Sequence, residues 1–127
     1  MHELSITLGI VKIAEDEIKK AVAKKVISIE LEIGTLAGVE LDSLNYVWDV
    51  AVKDTVLESA HKQINIIIAK GRCVDCDTVF ELKNYHDSCP NCQSFLKIIL
   101  QGKELRVKSL EIEWFLFNIN YHIIIEV

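Results

Sequence analysis

The chain has 127 residues, half of them hydrophobic and 26% charged, with a formal net charge of −5. That length and apolar content suit one globular domain, or one domain with a small inserted module, and one proline and five glycines argue against long disordered linkers. The acidic balance, with a pI near 5.3, speaks against a protein that tracks a phosphate backbone through Lys/Arg neutralisation; it suits one that handles cations.

The opening Met1-His2-Glu3-Leu4-Ser5-Ile6 has no basic residue before Lys12, so it lacks the charged start of a secretory leader. No stretch reaches the roughly 18 apolar residues of a membrane span. The expected location is cytoplasmic, with neither membrane nor nucleic acid as partner. In a reducing compartment, paired Cys-x-x-Cys motifs are metal ligands or redox pairs before they are structural disulfides.

An amphipathic helix is expected over residues 4–24. Leu4, Leu8, Val11, Ala14, Ile18, Ala21 and Val22 recur at three- and four-residue spacing and would share its buried face. A strand follows over 26–33, where Ile27, Ile29, Leu31 and Ile33 alternate with Ser28, Glu30 and Glu32. Residues 34–38 read as a loop. A second helix begins at Leu41 or Asp42 and runs to about residue 54, with Leu44, Val47, Trp48 and Ala51 as its apolar stripe and Asp42 as its N-cap. The β-branched run 64–69 reads as a second strand ended by Gly71. A cysteine module with few core residues fills 72–101. A long last strand starts near Glu104, and its apolar phase changes between Leu105/Val107 and Leu110/Ile112, as a bulge near Ser109 would produce.

The simplest assembly is α+β: two helices packed on a small three-stranded sheet, with an inserted four-cysteine, zinc-ribbon-like module whose chain returns to complete the sheet. The module has no core of its own, so its metal must supply most of its folding energy.

The cysteines fall as Cys73-Val74-Asp75-Cys76 and Cys89-Pro90-Asn91-Cys92, a C-x2-C-x12-C-x2-C spacing. Each tight turn points two sulfurs at one ion. Four thiolates close a tetrahedron around Zn(II) and leave no open position for catalysis, so the expected role is structural. Two redox pairs, a disulfide module or iron in the same site are the alternatives. His86, between the pairs, reads as a surface residue.

At the N-terminus, a bulky second residue favours retention of Met1. The Met1 amine, the His2 amide and the His2 imidazole can then chelate one ion through fused five- and six-membered rings, with the Glu3 amide or carboxylate as fourth donor. Such nitrogen-rich, planar coordination suits Ni(II) or Cu(II), and deprotonating an amide makes binding weaken as pH falls. Taken alone, the same residues also read as an ordinary helix start with Glu3 set against the helix dipole.

The opening Met1-His2-Glu3-Leu4-Ser5-Ile6 resembles the start of the HypA/HybF family of hydrogenase maturation nickel chaperones. Residues 31–40 (Leu-Glu-Ile-Gly-Thr-Leu-Ala-Gly-Val-Glu), Gly71-Arg72-Cys73 with Cys76, Cys89-Pro90 with Cys92, and residues 102–113 are similar to further family motifs, in the family's order. The resemblance implies a nickel-binding α+β domain formed by 1–70 and 103–113, with Met1, His2 and Glu3 at the nickel site, and a zinc-binding domain at 71–102 held by Cys73, Cys76, Cys89 and Cys92. It implies Ni2+ as cargo and Zn2+ as structural ion. The function implied is nickel delivery to [NiFe]-hydrogenase, or in some organisms urease. The implied partners are a HypB-type GTPase and the hydrogenase large subunit or its maturation complex, with no enzymatic turnover.

Residues 114–127 depart from the family pattern as an apolar, β-prone extension. It reads foremost as a continuation of the last strand packed on the sheet. Pairing with another chain, as in a homodimer, and lack of fixed order are the other readings. Three further function classes compete with this reading. A zinc-ribbon nucleic-acid module lacks the basic, aromatic-interleaved patch. A metalloenzyme lacks any Ser/His/Asp set, Walker loop or H-E-x-x-H motif, and Glu58 with His61 reads as solvated surface. A pure scaffold differs from the chaperone only at His2.

Overall fold

The computed structural model describes the backbone of residues 2–116 and 119–126, and the side chains of residues 2–114 and 124. In chain order the elements are α1 (Glu3–Ala21), β1 (Lys25–Gly34), α2 (Leu41–Ala51), β2 (His61–Ile67), β3 (Lys70–Cys73), β4 (Val79–Glu81), β5 (Lys97–Gln101), β6 (Leu105–Leu116) and β7 (Ile119–Glu126). They form a four-stranded sheet of order β2-β1-β6-β7 and a three-stranded sheet of order β4-β3-β5. The chain divides into two compact units. One takes residues 1–31, 39–64 and 106–127, and the other takes 32–38 and 65–105.

The first unit is built on both helices. Its core joins Ile10, Val11, Ala14 and Ile18 of α1 and Trp48 of α2 to Val26, Ile29 and Leu31 of β1 and to Val107, Leu110 and Ile112 of β6. The expected helix is present, but its buried face is turned from the expected one. Glu3, Thr7, Ile10, Val11, Ala14 and Ile18 point inward, whereas Leu4, Leu8 and Val22 are exposed. Thr7 can be buried because its hydroxyl donates to the Glu3 carbonyl one turn back, at 2.8 Å, which satisfies the polar group inside the core.

The end of α1 carries local strain. Val22 adopts φ 53°, the left-handed region, where a β-branched side chain crowds its own backbone. The conformation is imposed by the closing hydrogen bonds, Val22 N–H to Lys19 C=O and Ala23 N–H to Ile18 C=O, and a glycine is the usual solution at such a cap. Because Val22 is exposed and loses no packing when trimmed, Val22→Gly is expected to raise stability by about 1 kcal/mol. A urea melt reads this directly, and a destabilised variant would mean that the side chain packs where its exposure says it does not.

Helix α2 starts where the sequence suggests, but its cap is Glu40 rather than Asp42. The Glu40 carboxylate accepts from the Asp42 amide at 3.2 Å, and Asp42 lies inside the first turn. On β6 the change of phase is visible as burial: Val107 and Ser109 are buried on one alternation, Leu110 and Ile112 on the other. The expected three-stranded main sheet has four strands, because residues 119–126 return as β7 and pair antiparallel with β6, Leu116 opposite Ile119 and Ser109 opposite Glu126. The tail thus carries β6 on to Leu116, as expected, and then adds a strand of its own. His122 of the tail lies outside the described side chains.

In the second unit, β3 pairs antiparallel with β4 and β5 on either side. Gly71 does not end a strand as its residue type suggests. It sits within β3, opposite Phe80 and Ile99, where a Cβ would meet the Leu82 side chain at 3.1 Å. The missing side chain lets Leu82 close down on the strand. The segment 34–38 is stapled to the rest of the unit by backbone. Gly34 N–H donates to Glu104 C=O, Leu36 N–H to Gly102 C=O and Thr35 N–H to Ile67 C=O, while the Ala69 amide donates to the Thr35 hydroxyl at 3.0 Å.

Candidate metal centre

Two turns of the same design carry the four cysteines. In the first, the Cys73 amide donates to Thr78 C=O at 2.9 Å and the Cys73 carbonyl accepts from the Asp77 amide at 3.0 Å. In the second, the Cys89 amide donates to Ser94 C=O at 2.8 Å and the Cys89 carbonyl accepts from the Gln93 amide at 2.8 Å. The residue after each C-x-x-C, Asp77 at φ 61° and Gln93 at φ 62°, takes the left-handed conformation that reverses the chain. The turns are latched together. Ser94 Oγ donates to Asp75 at 2.5 Å, and the Val74 amide donates to Leu96 C=O at 3.0 Å.

The result is four sulfurs within 4.8 Å of one another, from Cys73, Cys76, Cys89 and Cys92. Cys73 and Cys92 approach to 3.5 Å and Cys76 and Cys89 to 3.6 Å. These distances are far beyond the roughly 2.05 Å of an S–S bond, and the cysteines are free. They match the roughly 3.8 Å edge of a tetrahedron whose metal–sulfur bonds are near 2.3 Å. The donor set therefore fits a tetrahedral thiophilic ion.

The electrostatics also call for a cation. Without one, the Thr78 hydroxyl, then the Thr78 amide and Asn91, draw the Cys76 thiol down to about 6. The Ser94 amide favours the Cys92 thiolate, yet crowding by Cys73, burial, and the nearby Cys76 and Cys89 push Cys92 up to about 12. Four thiolates this close repel one another unless a divalent ion sits among them. The Asn91 amide, 3.4 Å from Cys89 Sγ, and Asn91 Nδ2, 3.6 Å from Cys76 Sγ, orient donors onto the sulfurs as outer partners of a metal site do. Cys73 and Cys89 are buried, while Cys92 is exposed.

Among the described residues, these four form the one group of three or more candidate ligands in bonding range of a common ion. His86, His61 and Glu58 are exposed and outside it.

Of the three residues expected at the N-terminal site, Met1 lies outside the described residues. His2 precedes α1 as its N-cap residue, exposed and with no capping hydrogen bond from its side chain. Its carbonyl accepts the first helical bond, from Ile6 at 3.0 Å, and the amides at the start of a helix have no partner within it. Glu3 is buried at 3% exposure. The positive N-terminus of the chain is the largest influence holding its carboxyl below the usual carboxylate range; the Glu40 amide helps, against desolvation. That amide lies 3.5 Å from Glu3 Oε2. Glu40 thus stands beside Glu3 although 37 positions separate them, and sequence reasoning did not single it out. Its place at the end of a recognised motif was the signal that could have found it.

Comparison with known proteins supplies the context for both features. A family model described as "Hydrogenase/urease nickel incorporation, metallochaperone, hypA" matches residues 1–112. The hydrogenase maturation factor HypA of Parabacteroides distasonis is 44% identical over 113 residues, 89% of this chain and 98% of that protein. The same factor of Geotalea uraniireducens is 42% identical, over 89% of this chain and all of that protein. Among solved structures, the solution structure of the Ni metallochaperone HypA from Helicobacter pylori superposes with a TM-score of 0.63 at 27% identity, covering 88% of this chain and 97% of that one.

Proposed function

The chain belongs to the HypA family, the nickel metallochaperones of hydrogenase and urease maturation, and from that premise we infer that it binds Ni(II) through Met1, His2 and Glu3 and passes it on by ligand exchange. The observation that carries this reading is the start of α1. Helix geometry begins at Glu3 and leaves His2 outside it, with an exposed imidazole that caps nothing. The α-amine, the His2 amide and the imidazole are adjacent donors of the kind Ni(II) prefers.

A cation at a helix N-terminus is opposed by the dipole. Deprotonation of the amide and the negative charge of Glu3 offset that opposition, so nickel uptake is coupled to proton release. A site at a chain end holds its ion while leaving a side open to incoming ligands. Among the described residues no group is set up for turnover, and the protein acts as a carrier rather than an enzyme. Its working partners are a HypB-type GTPase and the hydrogenase large subunit or its maturation complex, in the cytoplasm; a homodimer is compatible with the same role. Zn2+ is the ion assigned to Cys73, Cys76, Cys89 and Cys92, because a closed four-sulfur tetrahedron suits a structural, redox-inert metal. Residues 71–102 are the zinc-binding part, and 1–70 with 103–113 the nickel-binding part.

The test is a Ni(II) titration of zinc-loaded protein with an authentic Met1 terminus beside His2→Ala, with released protons counted. One nickel per chain with proton release is expected, and at least about a tenfold loss of affinity in the variant while zinc and fold persist. Equal binding by both proteins would take His2 out of its role and favour a zinc-stabilised scaffold.

A further inference from the structure

The three-stranded sheet of the second unit has one covered face and one bare face. Alternation along β3 puts Gly71 and Cys73 on the side where Leu82 packs, and Lys70 and Arg72 on the other. The register carries that bare side outward through Val79 of β4 and Ile98 of β5, both opposite Arg72. Leu96 lies two residues before Ile98, and Leu100 falls beside the register shift opposite Lys70. Val79, Leu96, Ile98 and Leu100 are exposed by 54%, 63%, 49% and 47%. A row of large apolar side chains this open on one sheet face is a contact surface rather than a finished exterior.

Charge selects the occupant. Arg72 and Lys70 stand beside the β5 row on the central strand β3, and among the described residues neither makes an ion pair. Glu81 lies opposite Lys70 on the same face, whereas Arg72 faces only Val79 and Ile98 and is the cation with no carboxylate opposite it, on a chain whose net charge is −5. From Leu96 to Leu100 the row runs roughly 13 Å at about 3.3 Å per residue, which matches two to three turns of helix at about 5.4 Å each. Sheet faces in α+β folds are ordinarily closed by such a helix.

We propose that this face of the second unit docks an amphipathic helix of a partner protein, its apolar stripe lying along Leu96, Ile98 and Leu100 and its flanking carboxylates meeting Arg72. The apolar row gives the contact most of its strength, and the basic flank fixes its direction and rejects a basic helix. The surface shares no residue with Met1, His2 and Glu3, so His2→Ala is expected to leave it intact.

The test uses the full-length, metal-loaded chain and two synthetic helical peptides with the same leucine stripe, one flanked by Glu and one by Lys. The Glu peptide is expected to bind with amide shifts confined to β3, β5 and their immediate neighbours. Ile98→Asp is expected to weaken it by about tenfold or more. Arg72→Glu is expected to weaken the Glu peptide by about fivefold and to make the Lys peptide the better ligand, an exchange that loss of folding cannot imitate. No binding of the Glu peptide at millimolar concentration, equal binding of both peptides by the unsubstituted chain, or shifts located elsewhere would overturn the proposal. So would concentration-dependent self-association abolished by Ile98→Asp, which would make the face a contact between copies of this chain.

Discussion

Removing the metal from Cys73, Cys76, Cys89 and Cys92 is expected to unfold the second unit while the first keeps its helices. The buried apolar residues in 32–38 and 65–105 are Ile33, Ala69, Cys73, Leu82 and Cys89, and two of these are themselves ligands. A core of that size falls well short of the ordering entropy of nearly fifty residues at roughly 1–2 kcal/mol each. Structural zinc contributes on the order of 10–16 kcal/mol in comparable small modules. The first unit has its own core, from Ile10 and Val11 through Leu110 and Ile112, and does not depend on the ion in this way. Chelation followed by amide spectra should therefore erase the dispersion of residues such as Cys73, Leu82 and Ile99 and preserve that of Ala14, Ile18 and Leu44. Cys73→Ser should behave alike. A second unit that stays folded without metal would show that the backbone staples around 34–38 and 102–104 suffice alone.

Those staples set the second large effect. A Cβ on Gly34 would lie 2.0 Å from the Gly102 carbonyl oxygen, 2.1 Å from its carbon and 2.7 Å from the Lys103 nitrogen. All three are backbone atoms, so no side chain can swing aside. The segments would have to part, stretching the bonds from Gly34 N–H to Glu104 C=O, at 2.7 Å, and from Leu36 N–H to Gly102 C=O, at 2.8 Å. Gly34→Ala is expected to cost about 3 kcal/mol or more. Gly38→Ala is the matched control. It has nothing within 4 Å of its Cβ position and a φ of 75°, so only the left-handed penalty of about 1 kcal/mol applies. Equal losses in denaturant melts of the two metal-loaded variants would mean that the crossing is looser than its geometry states.

The parts of the fold legible in the sequence are those governed by local rules. The strand at 26–33 and the start of the second helix follow from periodicity, and the metal centre follows from cysteine spacing, because a tight turn dictates where two sulfurs go. The inward face of α1 was less legible. Leu4 and Leu8 fit a helical stripe as well as Thr7 and Ile10 do. The choice between them is made by what packs opposite, and Thr7 wins because its hydroxyl is satisfied within its own helix. The strands β3, β4 and β5 are four, three and five residues long. That is too short for alternation to register, and they are organised by the metal turns rather than by propensity. Gly71 looked like a terminator because its need for a close neighbour, Leu82, is a tertiary fact. At the N-terminus, His2 and Glu3 are legible from the sequence alone. Glu40 is not, because only the fold brings its amide to the Glu3 carboxylate.

The chain passes from one unit to the other at residues 31–32, 38–39, 64–65 and 105–106. Strand β6, which completes the core of the first unit beside β1, is thus separated from it in sequence by the whole metal-binding segment. During synthesis from the N-terminus, the helices and β1 emerge first and wait with an open sheet edge. The second unit becomes complete when residue 105 emerges, immediately before β6 does. An ion captured at that moment shortens the loop that β6 must close to reach β1, and so lowers the entropy of closure. In this arrangement an ion held by one unit sets the pace of assembly for the core of the other. Metal starvation would then lengthen the time an unfinished apolar sheet spends exposed.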